Sequence, residues 1–585
     1  MSIFANPELF LLYWIYYAHQ KLFFLGLLNG SLLFLFDAEE EAKIRKKLYL
    51  VLGLISLVPI AAYFLVPQFA QNANSAIEPS QLFLNLWIVS AVISWVVTVW
   101  WLRVGIHQVE RVKRKLTKRS ALERNKKTDI RTISEHLPGN KKRFDPLKYI
   151  NLKKGVFCGL DEFDKPIYIG HGEWNTRHCL LSGMTRSGKG IFAQILGWQS
   201  IMLGELFVVL DPKVDSWLPH IYRQACEKFG KKYVLLDLRQ SAHEQINIFQ
   251  GCDEETIENM LIGSFGLAEK GTTADHYRLG DRKAARRCAA YMAKHPDTTP
   301  ADLFKLFGAE WEDTDKANPN AASDFAAMLA EMAELRAVNR REGGIDLSEL
   351  AQTGGCLYVL GDMLNPRIIR MQRMLLVRLM MLAKNRDTFG EKPKNIRIFA
   401  DEFRVHISRA FVISLGMSAG WQLLSILALQ SFEDLRDCPA DLDPEMVKGA
   451  VMENCAIKQS YRILDDDTAL RLAASTGEIM VDSEVREVVK NIALLETIGD
   501  RKISQKERYL IDTNMIHSLA MPDAEKGTIG CGVLIGVGKL AQFCFTSPVQ
   551  VERSIAALTP TIEPPVGTTF ATMDNLESLP DLDAP

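Results

Sequence analysis

The sequence predicts an α/β protein with a mostly parallel sheet, preceded by two helices that cross a membrane. Three observations carry that reading. Beyond about residue 150, short apolar runs alternate with stretches of helical periodicity, as in strands wound with helices. Within that region "LLSGMTRSGKGIFAQI" (180–195) sets a glycine-rich loop between a strand candidate and a helix candidate. Ahead of it lie two uncharged apolar runs, each with about the 20 residues that a helix needs to cross a bilayer.

Composition sets the outer bounds. A chain of 585 residues has room for more than one domain, and 48% hydrophobic with 24% charged residues describes globular protein over most of its length. A net charge of −2 is no polyelectrolyte signal, so a nucleic-acid partner cannot be argued from composition. The ten cysteines all follow residue 157 and form no CxxC pair, a scatter that suits a reduced compartment better than a disulfide framework.

Residues 1–130 read as a membrane anchor. Residues 48–66 (LYLVLGLISLVPIAAYFLV) and 82–102 (LFLNLWIVSAVISWVVTVWWL) are the two expected spans. Pro59 is tolerable inside a membrane helix, and Trp100 and Trp101 close the second run where an aromatic belt would sit. Lys43, Arg45, Lys46 and Lys47 precede the hairpin, a basic stretch over 103–127 follows it, and the connector "PQFAQNANSAIEPSQ" has neither Lys nor Arg. The positive-inside rule then places both ends of the hairpin in the cytoplasm. The basic stretch is either a lipid-headgroup contact or a bare topology determinant. Residues 9–36 are apolar but broken by His19, Gln20, Lys21 and Asn29-Gly30, which reads as an interfacial or re-entrant segment, with a further span as the alternative.

In "GMTRSGKG", Gly183, Gly188 and Lys189 have the spacing of a phosphate-cradling P-loop, but Gly190 stands where Ser or Thr normally offers a hydroxyl to Mg²⁺. Loop N–H groups and the helix N-terminus would face the phosphates, and Lys189 would add a point charge at the β- and γ-phosphates. "NIRIFADEF" (395–403) is an apolar strand that ends in Asp401 and Glu402. Asp401 is placed to hold Mg²⁺, and Glu402 to act as general base on the attacking water.

These segments, with "LFVVLDPKVDSW" (206–217) and "LLSILALQSFEDL" (423–435), resemble the type IV coupling proteins, the TraG- and TraD-like ATPases of conjugation and type IV secretion. Several members of that family also end the P-loop in G-K-G, so Gly190 matches the TraG-like variant. "DPK" (Asp211 to Lys213) matches the family's D-P-K-G-[DE], with Val214 in place of the Gly, which leaves the role of that loop open. "LALQSFEDL" resembles the family's "AQS" strand and makes Gln430 the candidate sensor of the γ-phosphate. "MENCAIKQSYRILDDDTALRLAASTGE" (452–478) resembles its Asn-containing strand and short helix, and "GCGVLIGVGKLAQFCFT" its last hairpin.

The resemblance implies a RecA-like P-loop NTPase domain over 131–265 and 346–550, with an inserted all-α domain over 266–345. It implies a nucleotide cradle of Gly183, Met184, Thr185, Arg186, Ser187, Gly188, Lys189, Gly190 and Ile191, with ATP and Mg²⁺ as cofactors. Catalysis would rest on Lys189, Glu402, Gln430 and a trans-acting arginine finger, Arg462, with Arg404 and Arg409 as rivals. In the all-α part, Arg278, Arg282 and Arg286 share one helix face, read either as a DNA phosphate contact or as a solvated face. The acidic, proline-rich stretch 551–585 reads as a flexible tail that docks partners or merely solubilises.

The implied function is an inner-membrane, multi-pass coupling ATPase with its bulk in the cytoplasm. It would assemble as a homohexamer and deliver single-stranded DNA with its relaxase and accessory relaxosome proteins to the channel components of a type IV secretion system. The alternatives are a coupling ATPase dedicated to effector proteins, or a catalytically weak scaffold that recruits substrate.

Overall fold

The computed structural model describes residues 22–33, 47–57, 81–105, 130–131, 133–239, 242–269, 274–310, 322–386, 392–439, 441–486, 501–538 and 540–562. They fall into two units, Met1–Asn125 with Met480–Glu507, and Lys126–Ile479 with Arg508–Pro585.

In the first unit a helix spans Gln81–Trp100 and continues for one wider turn to Gly105. Against it pack the short helix Leu22–Leu27 and the tighter turns Leu28–Leu33. Their shared interior is polar: Asn29, Ser56, Ser90, Ser94 and Thr98 are buried, while Ile88, Val92, Val96 and Trp100 are exposed. The Asn29 amide donates to Ser56 Oγ (3.0 Å) and accepts from Trp95 Nε1 (2.6 Å), and the Gly30 N–H donates to Ser94 Oγ (3.0 Å). Polar groups inside and apolar groups outside invert the pattern of a soluble core. Among the described residues only Asn85–Gly105 is long and apolar enough to cross a membrane. It coincides with the second expected span. The first is described only over 47–57, so the expected hairpin is not shown; the remainder of that span, most of the basic stretch 103–127, and 9–21 and 34–36 of the segment 9–36 lie outside the described residues.

The second unit is built on an eleven-stranded sheet ordered β2-β1-β13-β12-β9-β3-β8-β7-β4-β6-β5. Its strands are β1 (Val156–Leu160), β2 (Pro166–Ile169), β3 (Cys179–Ser182), β4 (Leu206–Asp211), β5 (Lys232–Asp237), β6 (Gly355–Leu360), β7 (Ile396–Ala400), β8 (Leu423–Leu429), β9 (Ile457–Ser460), β12 (Gly530–Ile535) and β13 (Gln542–Thr546). A separate two-stranded sheet, most of it in the first unit, pairs β10 (Glu478–Arg486) with β11 (Arg501–Tyr509). From β9 to β5 every neighbour pair is parallel; β12, β13, β1 and β2 extend the sheet antiparallel. The β3, β4, β6, β7 and β8 strands are buried along their whole length, as expected of strands covered by helices on both faces. That double burial is why they read as unbroken apolar runs in the sequence. All the parallel strands end at the same edge, where an open α/β sheet forms its ligand crevice.

At the opposite edge a buried ion pair ties β7 to the turn before β4. The Arg397 guanidinium pairs with Glu205 (Nε to Oε2, 3.0 Å), donates to the Trp174 carbonyl (3.0 Å) and stacks 3.5 Å over the Trp174 ring. Asn395 and Trp174 Nε1 also donate to Glu205, which satisfies a carboxylate that burial alone would penalise.

Between β5 and β6 the described chain is helical, with helices Glu254–Ser264, Ala274–Lys294, Pro300–Glu310 and Ser323–Ala333 and no strand. Two local readings need correction. Asn454 closes the helix Pro444–Asn454, its amide donating to Ala450 O (2.7 Å), so it precedes β9 and does not lie in a strand. Residues 551–562, read as the start of a flexible tail, are docked: Leu235 N–H donates to Thr561 Oγ1 (2.8 Å), Tyr233 OH to Ala557 O (2.9 Å) and Ser554 N–H to His220 Nδ1 (3.0 Å). The remainder, 563–585, lies outside the described residues.

Candidate nucleotide-binding site

The glycine-rich loop joins β3 to the helix Lys189–Met202. Gly183 (φ 145°) and Gly188 (φ 119°) hold backbone conformations that side chains resist. A Cβ on Gly188 would lie 2.9 Å from the Tyr461 ring, and one on Gly183 would lie 2.8 Å from Tyr461 Cβ. The loop is thus pressed onto the end of β9, where Met184 N–H donates to Arg462 O and Tyr461 N–H to Ser182 O. Lys189 Nζ is held by the carbonyls of Gly183 and Met184. Its burial pulls the ammonium below the usual lysine range, against the opposing pull of Glu402 and Asp401.

Thr185 and Arg186 are exposed at the tip of the loop, whereas Ser187 is buried with an unpartnered hydroxyl. Nothing lies within 4 Å of where a Cβ on Gly190 would stand, so the absent hydroxyl is a matter of sequence and not of space.

Asp401 and Glu402 follow β7, and Gln430 follows β8, the strand between β7 and β3. Parallel register therefore delivers all three to the crevice beside the loop. The Glu402 side chain is only 2% exposed. Its Oε1 accepts from Lys213 Nζ and from Gln430 Nε2 (3.2 Å); its Oε2 has no hydrogen-bond partner, and Arg404 Nε stands 3.8 Å from it. Burial works to raise this carboxyl, but Lys213 and the Gln430 amide hold it below the usual glutamate range. Asp401 behaves oppositely: desolvation pushes it up to about 7, with Lys213 opposing and Asp211 and Glu402 adding to the rise. Gln430 and Ser431 donate their N–H groups to Asp434 (2.7 and 3.1 Å), which fixes the turn after β8.

Among the described residues no cluster of three or more His, Cys, Asp or Glu side chains could enclose a metal ion. A single strand-end carboxylate fits Mg²⁺, which keeps several waters and takes oxygens from bound phosphates.

The remaining expected residues are placed as follows. Arg462 follows β9 beside the loop of its own chain. Arg409 donates to Asp441 O (3.2 Å). Arg278 donates to Gly266 O (3.2 Å), Arg282 to Leu267 O (3.3 Å) and Arg286 to Glu258 Oε1 (2.7 Å). These three arginines fasten the helix Ala274–Lys294 to the helix Glu254–Ser264 and the turn after it.

A mobilization protein A from Escherichia coli is 27% identical to this chain over 371 residues, which are 62% of the chain and 66% of that protein. The resemblance to type IV coupling proteins is borne out. The chain thus spans just under two thirds of the curated relative's length. Solved structures titled as the bacterial conjugative coupling protein TrwBdeltaN70, unbound monoclinic form, and as plasmid coupling protein TrwB in complex with ADP and Mg2+, are each 14% identical. The first covers 71% of this chain and 95% of its own at TM-score 0.48. The second covers 71% and 96% at TM-score 0.47. No family model matches the chain.

Sequence reasoning did not assign Lys213 or Asp434 to the site. Only Lys213 left a signal, as the cation of a strand-end "DPK"; nothing in the sequence indicated its pairing with the distant Glu402.

Proposed function

We propose that the chain is a membrane-anchored coupling ATPase of bacterial conjugation. It resides in the inner membrane with its bulk in the cytoplasm and assembles as a ring, with six copies the expected number. It recruits relaxase-bound single-stranded DNA, with effector protein as the alternative cargo, and drives it toward a type IV secretion channel.

The observation that supports this reading best is the meeting of Lys189, Asp401, Glu402 and Gln430 at the C-terminal ends of β3, β7 and β8. The loop N–H groups bind the ATP phosphates, and Lys189 turns from its loop carbonyls to them. Asp401 would hold Mg²⁺, which would supply positive charge against the phosphates. Glu402 takes a proton from the attacking water as the water oxygen bonds to the γ-phosphorus. The bond to the bridging oxygen breaks, and its electron pair leaves with ADP. Gln430, hydrogen-bonded to Glu402, links the base to the γ-phosphate position. Backbone contact by Arg278, Arg282 and Arg286 would require them to exchange their present acceptors for phosphate, so channel binding rests on other surfaces as well.

The test is ATP hydrolysis by the full chain in lipid nanodiscs, with and without single-stranded DNA, alongside plasmid transfer in cells. Lys189→Ala and Glu402→Gln are each expected to abolish DNA-stimulated hydrolysis and transfer while leaving membrane insertion intact. Normal transfer by both variants would overturn the motor and leave a recruiting scaffold.

A further inference from the structure

Asp211 is fully buried at the end of β4 and organises the turn after it. Its carboxylate accepts the N–H groups of Lys213 (3.0 Å), Val214 (2.9 Å) and Asp215 (2.6 Å) and the hydroxyl of Tyr358 (2.5 Å). The loop after β6 braces the same turn, with Met363 N–H donating to Pro212 O (3.1 Å). The product of this scaffolding is one side-chain position: Lys213 Nζ donates to Glu402 Oε1. Glu402 is itself held in a left-handed conformation (φ 46°), a strained state for a residue with a side chain. One carboxylate oxygen thus carries both donors, and the other is buried with no hydrogen bond. A buried acceptor left unpaired is uncommon and calls for a reason.

We propose that Lys213 is the positioning residue for the general base, gripping Oε1 of Glu402 so that Oε2 stays free to take the proton from water. This rests on the ATPase reading above. Lys213 does not touch the reacting atoms; it acts through Glu402, and the D-P-K turn exists to aim it. A lysine is a compact point charge and an arginine is a planar fork, so Lys213→Arg keeps the charge but only part of the aim.

The test compares the full chain with Lys213→Met, Lys213→Arg, Glu402→Gln and the Lys213→Met/Glu402→Gln double variant. In Lys213→Met, kcat is expected to fall at least about tenfold, the scale of a misaimed catalytic group, while KM and the affinity for a fluorescent ADP stay within about twofold. Lys213→Arg should recover part of kcat. In the Glu402→Gln background, which has no hydrolysis left to lose, Lys213→Met should cost no stability, because residues that act as a unit are not additive. A readout without nucleotide completes it: the unfolding midpoint of Lys213→Met should fall, because a buried carboxylate loses its cation, and the double variant should regain it. Unchanged kcat in Lys213→Met, or full additivity with Glu402→Gln, overturns the assignment while leaving the ATPase reading intact. A wild-type chain that binds nucleotide and never hydrolyses it overturns both.

Discussion

The backbone N–H of Met184 donates to the carbonyl of Arg462 at 3.0 Å, so the first turn of the phosphate loop is fastened to the end of β9. That bond fixes the backbone of Arg462 beside its own chain's loop. If Arg462 served as a finger in trans, mixing Arg462→Ala subunits with Lys189→Ala subunits would restore activity at hybrid interfaces. The cis placement leads us to expect no restoration in mixed assemblies, measured as DNA-stimulated ATP hydrolysis. Recovery toward a quarter of wild-type turnover would reassign the residue to the neighbouring subunit.

Gly190 has open space where a side chain would project. Gly190→Ser should therefore fold with an unchanged unfolding midpoint and should tighten Mg²⁺ binding to the nucleotide complex several-fold, since it adds a hydroxyl where one ordinarily serves. Titration of Mg²⁺ against ADP-loaded protein reads this directly. An unchanged affinity would mean that the ion does not approach that position.

Val214 occupies the left-handed region at φ 62°, where a β-branched side chain is disfavoured, and its turn is held there by Asp211. Such strain costs about 1–3 kcal/mol, of which glycine's extra chain entropy would return less than 1 kcal/mol. Val214→Gly is accordingly expected to stabilise the chain by about 1 kcal/mol, seen as a higher thermal midpoint. A lower midpoint would show that the contacts of the Val214 side chain outweigh the backbone strain.

His178 is buried and neutral, its Nδ1 accepting the Ser425 N–H (2.9 Å) and its Nε2 facing Leu415 O (3.1 Å). Desolvation lowers its pKa to about 4, and that of buried His406 to about 3. The unfolded chain thus binds protons that the folded chain refuses, so stability is complete above about pH 6.5 and drains away as pH falls toward 4. For His178 alone the loss approaches about 3 kcal/mol. Unfolding midpoints between pH 7 and 4 should fall with a slope that His178→Gln reduces; an equal slope in both would remove His178 as the cause.

How far the fold was legible depended on what each residue's neighbours were. β3, β4, β7 and β8 could be read because strands buried on both faces must be apolar throughout. Asp401 and Glu402 could be placed because they end such a strand, and Gln430 because its segment resembles the coupling proteins' "AQS" strand. The Lys213–Glu402 bridge could not, since periodicity reports burial and says nothing about which distant side chain meets which. Asn29-Gly30 looked like a break in an apolar run, yet these residues are where the short helical segment meets its neighbours. Their side-chain amide and N–H group bond to Ser56 and Ser94, so a break in hydropathy is here a packing contact. Residues 551–562 were misread for a similar reason: their proline-rich, acidic continuation masked a stretch that accepts specific hydrogen bonds from β5.

That last stretch has a practical consequence. β5 is the terminal strand of the sheet, and Thr561 satisfies both the N–H and the carbonyl of Leu235 on its outer side. A protease cut or a shortened clone that ends near residue 550 would therefore do more than trim a tail. It would bare an unpaired strand edge able to recruit another chain, and the shortened protein would be the one that aggregates.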